Sequence, residues 1–441
     1  MTTPIDPLAD SGLVAPTEAG PPTATSRLLS LSPGQRILLI GLGGVLMLSI
    51  VRVIADAPEL TSGGTWGAAL RLAVPIGLAA LGGLFAERSG VVNIGLEGMM
   101  ILGTWFGAWG AWQFGAWEGV AIGLLGGAAG GLIHAVATVS FGVDQIISGV
   151  AINILGAGLA RYLSVITYTA ETGGGATQSP SIANRISTVN LPLLAGGDVF
   201  GWRSPDILGW FARRGWFFVS DLASILRGFA SNLSLFTLLA VSLFPLTWWV
   251  LWRTRFGLRL RSVGENPTAA ESLGIRVYRM KYAGVVISGA LAGLGGAFLS
   301  IAATNIYREG QTGGRGFIGL AAMIFGNWNP FGAAAGAGLF GFTDALQLRN
   351  DPAVHALLLF VALLAGVLAV RSAILGKIRG AIILAVLGLA FLAWYLTSDA
   401  VPRQFVSVTP YIVTLLVLAF ATQRLRPPAT AGKPFRKGEA H

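Results

Sequence analysis

The sequence predicts an all-α polytopic membrane protein of about twelve transmembrane helices, with both termini on the cytoplasmic side. Three observations carry this prediction. Of 441 residues, 54% are hydrophobic and 11% charged, with a mean hydropathy of +0.69; soluble domains carry about a quarter charged residues. Apolar runs reach about 20 residues, enough for a helix to cross a bilayer. They are continuous rather than alternating, which favours helices over a barrel. Finally, Lys and Arg collect in alternate connecting segments, the pattern that sets orientation in a membrane.

Taken in order, residues 1–35 read as a disordered cytoplasmic tail. The first 26 contain no Lys or Arg and are rich in Pro, Thr, Ala and Gly. They therefore lack the basic start of a signal peptide. The membrane domain covers 36–423, with crossings expected at 37–55, 66–85, 96–114, 118–140, 145–165, 232–252, 282–303, 314–327, 330–347, 354–371, 379–397 and 406–423. With the N-terminus inside, the inner segments hold Arg88, the seven basic residues of a 253–281 loop, Arg371, Lys377 and Arg379, and the basic tail 424–441. The short outer loops hold only Arg308, Arg315, Arg349 and Arg403. The 166–231 loop falls outside and carries five arginines, but it is too long for the charge rule to count. Its Trp- and Phe-rich part, 199–219, suits an amphipathic helix on the outer surface.

One crossing is short. The run 317–325 makes about 13 Å of helix against a core of about 30 Å. Treating it as re-entrant would put the basic 371–379 loop and the tail outside. It is therefore kept as a short or broken crossing, followed by an "NWNP" turn at 327–330. Such interrupted spans accompany transport paths.

The net charge of +10 follows from topogenic loops and gives no reason to expect nucleic acid. There are no cysteines, and His134, His355 and His441 are too scattered for a metal site. Glycine, 62 residues, recurs as Gly126/Gly130, Gly127/Gly131, Gly289/Gly293 and Gly332/Gly336. This spacing lets helix backbones approach closely.

The polar stretch "GENPTAAESLGIRVYRMKY", 264–282, separates two apolar spans. Asn266 is a good N-cap, Pro267 suits the first helical position, and Gly274 is a natural stop. Ala269, Ala270 and Leu273 share one face of the intervening helix, opposite Glu271 and Ser272. Such a face can dock into a groove on a cytoplasmic partner, or the stretch can be a basic topological anchor.

"NPTAAESLGI" resembles the cytoplasmic coupling loop of ABC-importer permeases, in the branch that moves branched-chain amino acids, simple sugars and nucleosides. Ala269, Ala270 and Gly274 match its two alanines and later glycine; Thr268 stands where the older motif has Glu. "LAALGGLFAERSGVVNIGLEGMMILGTW", 78–105, and "GGRGFIGLAAMIFGNWNPFGAAAGAGLFGFTDALQ", 313–347, resemble the nucleoside and simple-sugar permeases. The resemblance covers about 66–165, 232–347 and 405–440. It departs at the long 166–231 loop and at 350–402, an added helix pair.

The resemblance implies a permease subunit with no catalytic residues and no cofactor of its own. It implies a second permease subunit as heterodimer partner, two ATP-binding-cassette ATPase subunits carrying ATP and Mg2+, and an extracytoplasmic substrate-binding lipoprotein. The cell membrane is the location. The coupling loop would engage the ATPase through Asn266, Pro267, Ala269, Ala270, Glu271 and Gly274. No G-x-x-x-x-G-K-[ST] sequence occurs here, so hydrolysis falls to another chain.

Polar groups within the spans are candidates for the solute path. They are Asn93, Glu97, Asn153 and Asp344, joined by Arg315 and Phe317 in "GGRGF". Glu97 is expected within about a turn of the cytoplasmic end, Asn153 and Asp344 deeper. Each can equally serve helix packing, as His134 and Arg71 can. The amides freed by "GGRGF" beside Arg315 suit a polar ligand or a partner's carboxylate, or simply form a flexible turn. No obligatory intramembrane ion pair is expected, which agrees with a neutral cargo. An ion-coupled secondary transporter of a small polar solute is the alternative; its carriers would have to be Glu97, Asp344 and His134, which are few and scattered. Nothing in the sequence supports a membrane enzyme.

Overall fold

The computed structural model describes residues 32–199, 201–348, 351–402 and 425–436. The expected crossing at 406–423 and most of the expected N-terminal tail lie outside them. Two compact units divide at residue 47. In the first, the described part belongs to α1 (Pro33–Ile54), an apolar helix exposing Ile37, Leu38, Leu39 and Ile40. This helix starts at Pro33, inside the segment expected to be disordered.

The second unit is helical with small strand pairs. α2 (Gly63–Arg88) starts where the Ser62 side chain accepts from the Thr65 amide. α3 (Leu96–Gln113) and α4 (Ala116–Ala135) follow, α4 ending in a π-helical turn at Val136–Ser140. α5 (Gln145–Tyr168) is capped by Asp144. The long loop then holds β1 (Thr188–Val189), β2 (Asp198–Val199), β3 (Trp202–Arg203), α6 (Ile207–Ala212) and α7 (Val219–Gly228). β4 (Leu233–Ser234) pairs antiparallel with β1, and β2 with β3. The polar stretch between α8 (Leu235–Arg253) and α11 (Val277–Ala297) carries α9 (Arg255–Glu265) and α10 (Pro267–Ser272). A π-helical turn, Phe298–Ala303, extends α11. The remainder is α12 (Arg315–Phe325), α13 (Pro330–Gln347), α14 (Asp351–Ile374) and α15 (Ile378–Thr397).

Eleven of the twelve expected crossings thus coincide with helices. Among the described residues, eight helices are long and apolar enough to cross a membrane. α3 and α13, of 18 residues each, and α12, of 11, are not among the eight; Glu97 and Gln113 in α3, and Asp344 and Gln347 in α13, lower the hydropathy of the first two.

Glycine decides the packing. A Cβ on Gly127 would lie 2.3 Å from the Gly289 carbonyl oxygen, and one on Gly293 would lie 2.6 Å from that of Gly123. α4 and α11 therefore touch backbone to backbone, as small side chains permit where lipid removes the hydrophobic force between helices. Gly103 of α3 sits against Gly293 in the same way. In the long loop, α7 covers the start of α2: Thr61 Oγ1 donates to Asp221 at 2.7 Å, and Arg52 pairs with Asp221 at 3.0 Å. α15 packs along α14, whose Ala353, Ala356 and Leu359 are buried with Leu60, Ala69 and Leu346.

Candidate functional site

The chain does not pass directly from α2 into α3. Residues 89–95 are non-helical, yet Val91, Asn93 and Gly95 are buried. A buried irregular backbone needs partners for its amides and carbonyls, and three neighbouring helices supply them. The Gln145 side-chain oxygen accepts from the Val92 amide at 2.6 Å. His134 Nε2 donates to the Val92 carbonyl at 3.2 Å, so Nδ1 accepts from the Ser148 hydroxyl at 2.8 Å. Asn153 donates to the Ile94 carbonyl at 3.1 Å and accepts from the Gly98 amide at 2.7 Å. Asn93 donates to Ser288 at 2.9 Å and accepts from the Gly95 amide at 3.0 Å.

This linker recesses α3. Leu96 packs against Gly82 and Gly83, so α3 begins about 8 Å along α2 from Arg88 rather than level with it. Glu97 follows this recessed start and is 7% exposed, because the linker climbs alongside α2 before helix resumes.

α12 is recessed from the opposite end. Gly319 sits against Ile76, Ala79 and Ala80, and Gly83 against Met323, so α12 runs parallel to α2. Its first turn lies about 15–20 Å from the start of α2. The two recessed helix starts meet. Glu97 Oε1 accepts from the Gly314 amide at 3.0 Å, and Oε2 from the Gly316 amide at 2.7 Å. A carboxylate there satisfies orphan amides and the positive end of the helix dipole. Two of the amides of "GGRGF" are therefore held by a carboxylate of this chain. Gly314 adopts φ +78°, and Gly316 leaves no room for a Cβ beside the Glu97 backbone.

The remaining residues separate from this cluster. Arg315 reaches Asp344 at 3.5 Å and donates to the Gln311 and Thr312 carbonyls. The sequence offers the two residues separately; the fold pairs them and so joins α12 to α13. Asp344 lies in the last turn of α13. Phe317 is 46% exposed and touches neither Glu97 nor Asp344 through any polar group. Gln145, Ser148 and Ser288 escape a search for charged intramembrane residues; the polar run "RSGVVN" between two apolar spans is the signal that they are needed.

At the opposite end of α11, Asn266 accepts from the Ala269 amide at 3.0 Å, and Gly274 closes α10 with φ +80°. One expectation fails here. Ala270 is 1% exposed, buried with Val263, Val277 and Phe435, so it does not share an outward face with Ala269 and Leu273. The turn from α9 into α10 directs Ala270 back onto its own chain. Leu273 is 82% exposed, with Ala269 and Glu265 also on the surface.

A cavity of about 650 Å3 lies between α2, α8 and α13, lined by Trp66, Val74, Phe244, Phe331 and Phe342 among others. Its walls are apolar and do not suit a polar solute. Among the described residues, no three His, Asp or Glu side chains gather to hold a metal ion.

The family described as "Branched-chain amino acid transport system / permease component" matches residues 67–350. The chain is 34% identical over 384 residues to the guanosine ABC transporter permease protein NupQ of Bacillus subtilis (strain 168), covering 84% of this chain and 96% of that protein. It is 33% identical over 372 residues to the nucleoside ABC transporter permease protein NupC of Lactococcus lactis subsp. cremoris (strain MG1363), covering 83% and 94%. It is 32% identical over 364 residues to the putative glucose ABC transporter permease protein TsgC13 of Haloferax volcanii, covering 82% and 92%. No solved structure gives a significant match.

Proposed function

Because the chain belongs to the family of branched-chain amino acid transport system permease components, we propose that it is the membrane-spanning permease subunit of an ABC importer for a nucleoside or simple sugar. It sits as a multi-pass protein in the bacterial plasma membrane. Both ends are cytoplasmic, about twelve helices cross, and the 253–281 stretch is the cytoplasmic coupling loop.

The carrying observation is the meeting of two recessed helix starts at Glu97 and Gly316, in a chain whose relatives are named as permeases for guanosine, nucleosides and glucose. Asn93 and Asn153 spend their amides on holding the broken span itself, an irregular backbone kept inside the bundle as in transporters whose solute paths run between discontinuous helices. The Arg315–Asp344 pair stays within the chain and carries no charge for the solute.

ATP and Mg2+ bind two partner ATPase subunits. A second permease subunit completes the path, and an extracytoplasmic binding lipoprotein delivers the solute. The chain itself catalyses nothing.

The test is purification in mild detergent, identification of the co-purifying chains, and uptake in proteoliposomes loaded with ATP. Radiolabelled guanosine and glucose are offered with the co-purified binding protein. ATP-dependent uptake that ignores a protonophore is expected. Uptake abolished by the protonophore while ATP remains would replace this reading with an ion-coupled transporter. A reporter fused after Arg379 should read cytoplasmic.

A further inference from the structure

The segment 425–436 lies across three parts of the chain far apart in sequence. α9 ends with carbonyls that have no partner within the helix. Thr430 supplies donors to them: its amide bonds to the Gly264 carbonyl at 3.0 Å, and its hydroxyl reaches the same oxygen at 2.6 Å and the Val263 carbonyl at 3.4 Å. The Ala429 amide reaches Glu265 Oε2 at 3.4 Å. Phe435, 8% exposed, enters the cluster of Val263, Ala270 and Val277 and meets the Tyr278 ring at 5.7 Å. The segment also touches the linker below α3: a Cβ on Gly90 would lie 2.9 Å from Thr430 Oγ1, and one on Gly432 would lie 3.7 Å from Val92. Its first residues hold the turn before α13, where the Arg426 amide donates to Asn327 at 2.8 Å.

We propose that 425–436 is a positioning strap that binds the coupling loop, the 89–95 linker and the 326–329 turn into one moving body. The inference rests on the reading of 253–281 as a coupling loop and deepens it. α10 makes little contact with the membrane helices apart from α11. A push on α10 passes through Ala270 to Phe435, and through Gly264 to Thr430. From Thr430 and Gly432 it passes to Gly90 and Val92, and so to the linker that positions Asn93 and Glu97. Two apolar contacts and two backbone carbonyls make this route short and stiff. α9 also rests directly on the start of the linker, where a Cβ on Gly264 would lie 2.3 Å from the Arg88 carbonyl oxygen; without the strap, α10 and the 326–329 turn are no longer held to that contact.

Phe435→Ala, Phe435→Leu, Thr430→Val and Thr430→Ser are purified with the ATPase subunits. Three quantities are read: ATPase subunits bound, solute carried per ATP hydrolysed, and amide hydrogen exchange in 89–95 and 264–274. Phe435→Ala and Thr430→Val keep the ATPase subunits, yet carry about tenfold less solute per ATP at unchanged KM, a loss within the range of coupling free energies. Exchange rises in both peptides. Phe435→Leu and Thr430→Ser restore most of the loss. A merely structural strap lowers the yield of protein but leaves solute per ATP per folded copy unchanged, and that result overturns the proposal. Should Phe435→Ala not reach the membrane, the near-isosteric Thr430→Val decides. If the unaltered protein binds no ATPase and its uptake ignores ATP, the coupling reading fails. The exchange readout still decides the strap: unchanged exchange at 89–95 in Thr430→Val overturns it.

Discussion

Glu97 caps the helix that contains Gly316: its Oε2 accepts from the Gly316 amide at 2.7 Å across 219 residues of sequence. The bond ties the recessed start of α3 to the recessed start of α12. Glu97 thus holds two broken helices together.

Glu97→Ala strands the buried Gly316 amide, which costs about 1–3 kcal/mol, and the half-buried Gly314 amide with it. The variant should melt well below the unaltered protein in detergent, read by size-exclusion thermostability. Glu97→Gln keeps one acceptor and should fall between. A melting midpoint unchanged in Glu97→Ala would show that water or another group can take over the cap.

The α4–α11 contact leaves no space for a side chain, since a Cβ on Gly289 would lie 2.4 Å from the Gly127 carbonyl. Gly289→Val should give little monodisperse protein, and Gly289→Ala should lower stability by about 1–3 kcal/mol, as overpacking does. Gly366→Ala, on α14 with nothing within 4 Å, serves as the control and should match the parent.

Leu273 and Ala270 separate docking from folding. Leu273 is 82% exposed and Ala270 1%. Leu273→Asp should insert and melt like the parent but lose ATPase subunits in a pull-down. Ala270→Glu should lose stability by itself, because an unpaired buried charge costs several kcal/mol. Full ATPase retention by Leu273→Asp would remove Leu273 from the contact.

The long loop carries a pH dependence of known sign. Burial works to raise the Asp206 carboxyl, but hydrogen bonds from Arg227 and from the Gly209 amide outweigh it, and Arg227 and Arg213 add attraction, so the carboxyl titrates below its ordinary range. A depressed folded value contributes stability that is present above the ordinary carboxylate range and is lost as pH falls through the lowered value. Amide exchange in α6 and α7 should therefore rise on acidification below about pH 4. Asp206→Asn should flatten that rise; an identical pH profile in the variant would rule Asp206 out as its source.

The sequence by itself placed the long apolar helices of the described residues and several of their ends. Apolar run length, Asn266 and Pro267 at the start of α10, Asn329 and Pro330 at the start of α13, and Gly274 as a stop all act within a turn or two of chain. Glycine spacing announced close helix contacts because a missing side chain is visible without knowing the partner. What it could not say is which helix answers. Only the tertiary structure paired Gly127 with Gly289, recessed α3 behind the 89–95 linker, and brought Glu97 to Gly316 and Arg315 to Asp344. It also turned Ala270 onto Phe435, reversing the face expected from helical spacing, because periodicity sorts residues by side and not by what each side meets. A buried polar group finds its partner through packing over hundreds of residues, where the cost of leaving it unmade selects one arrangement.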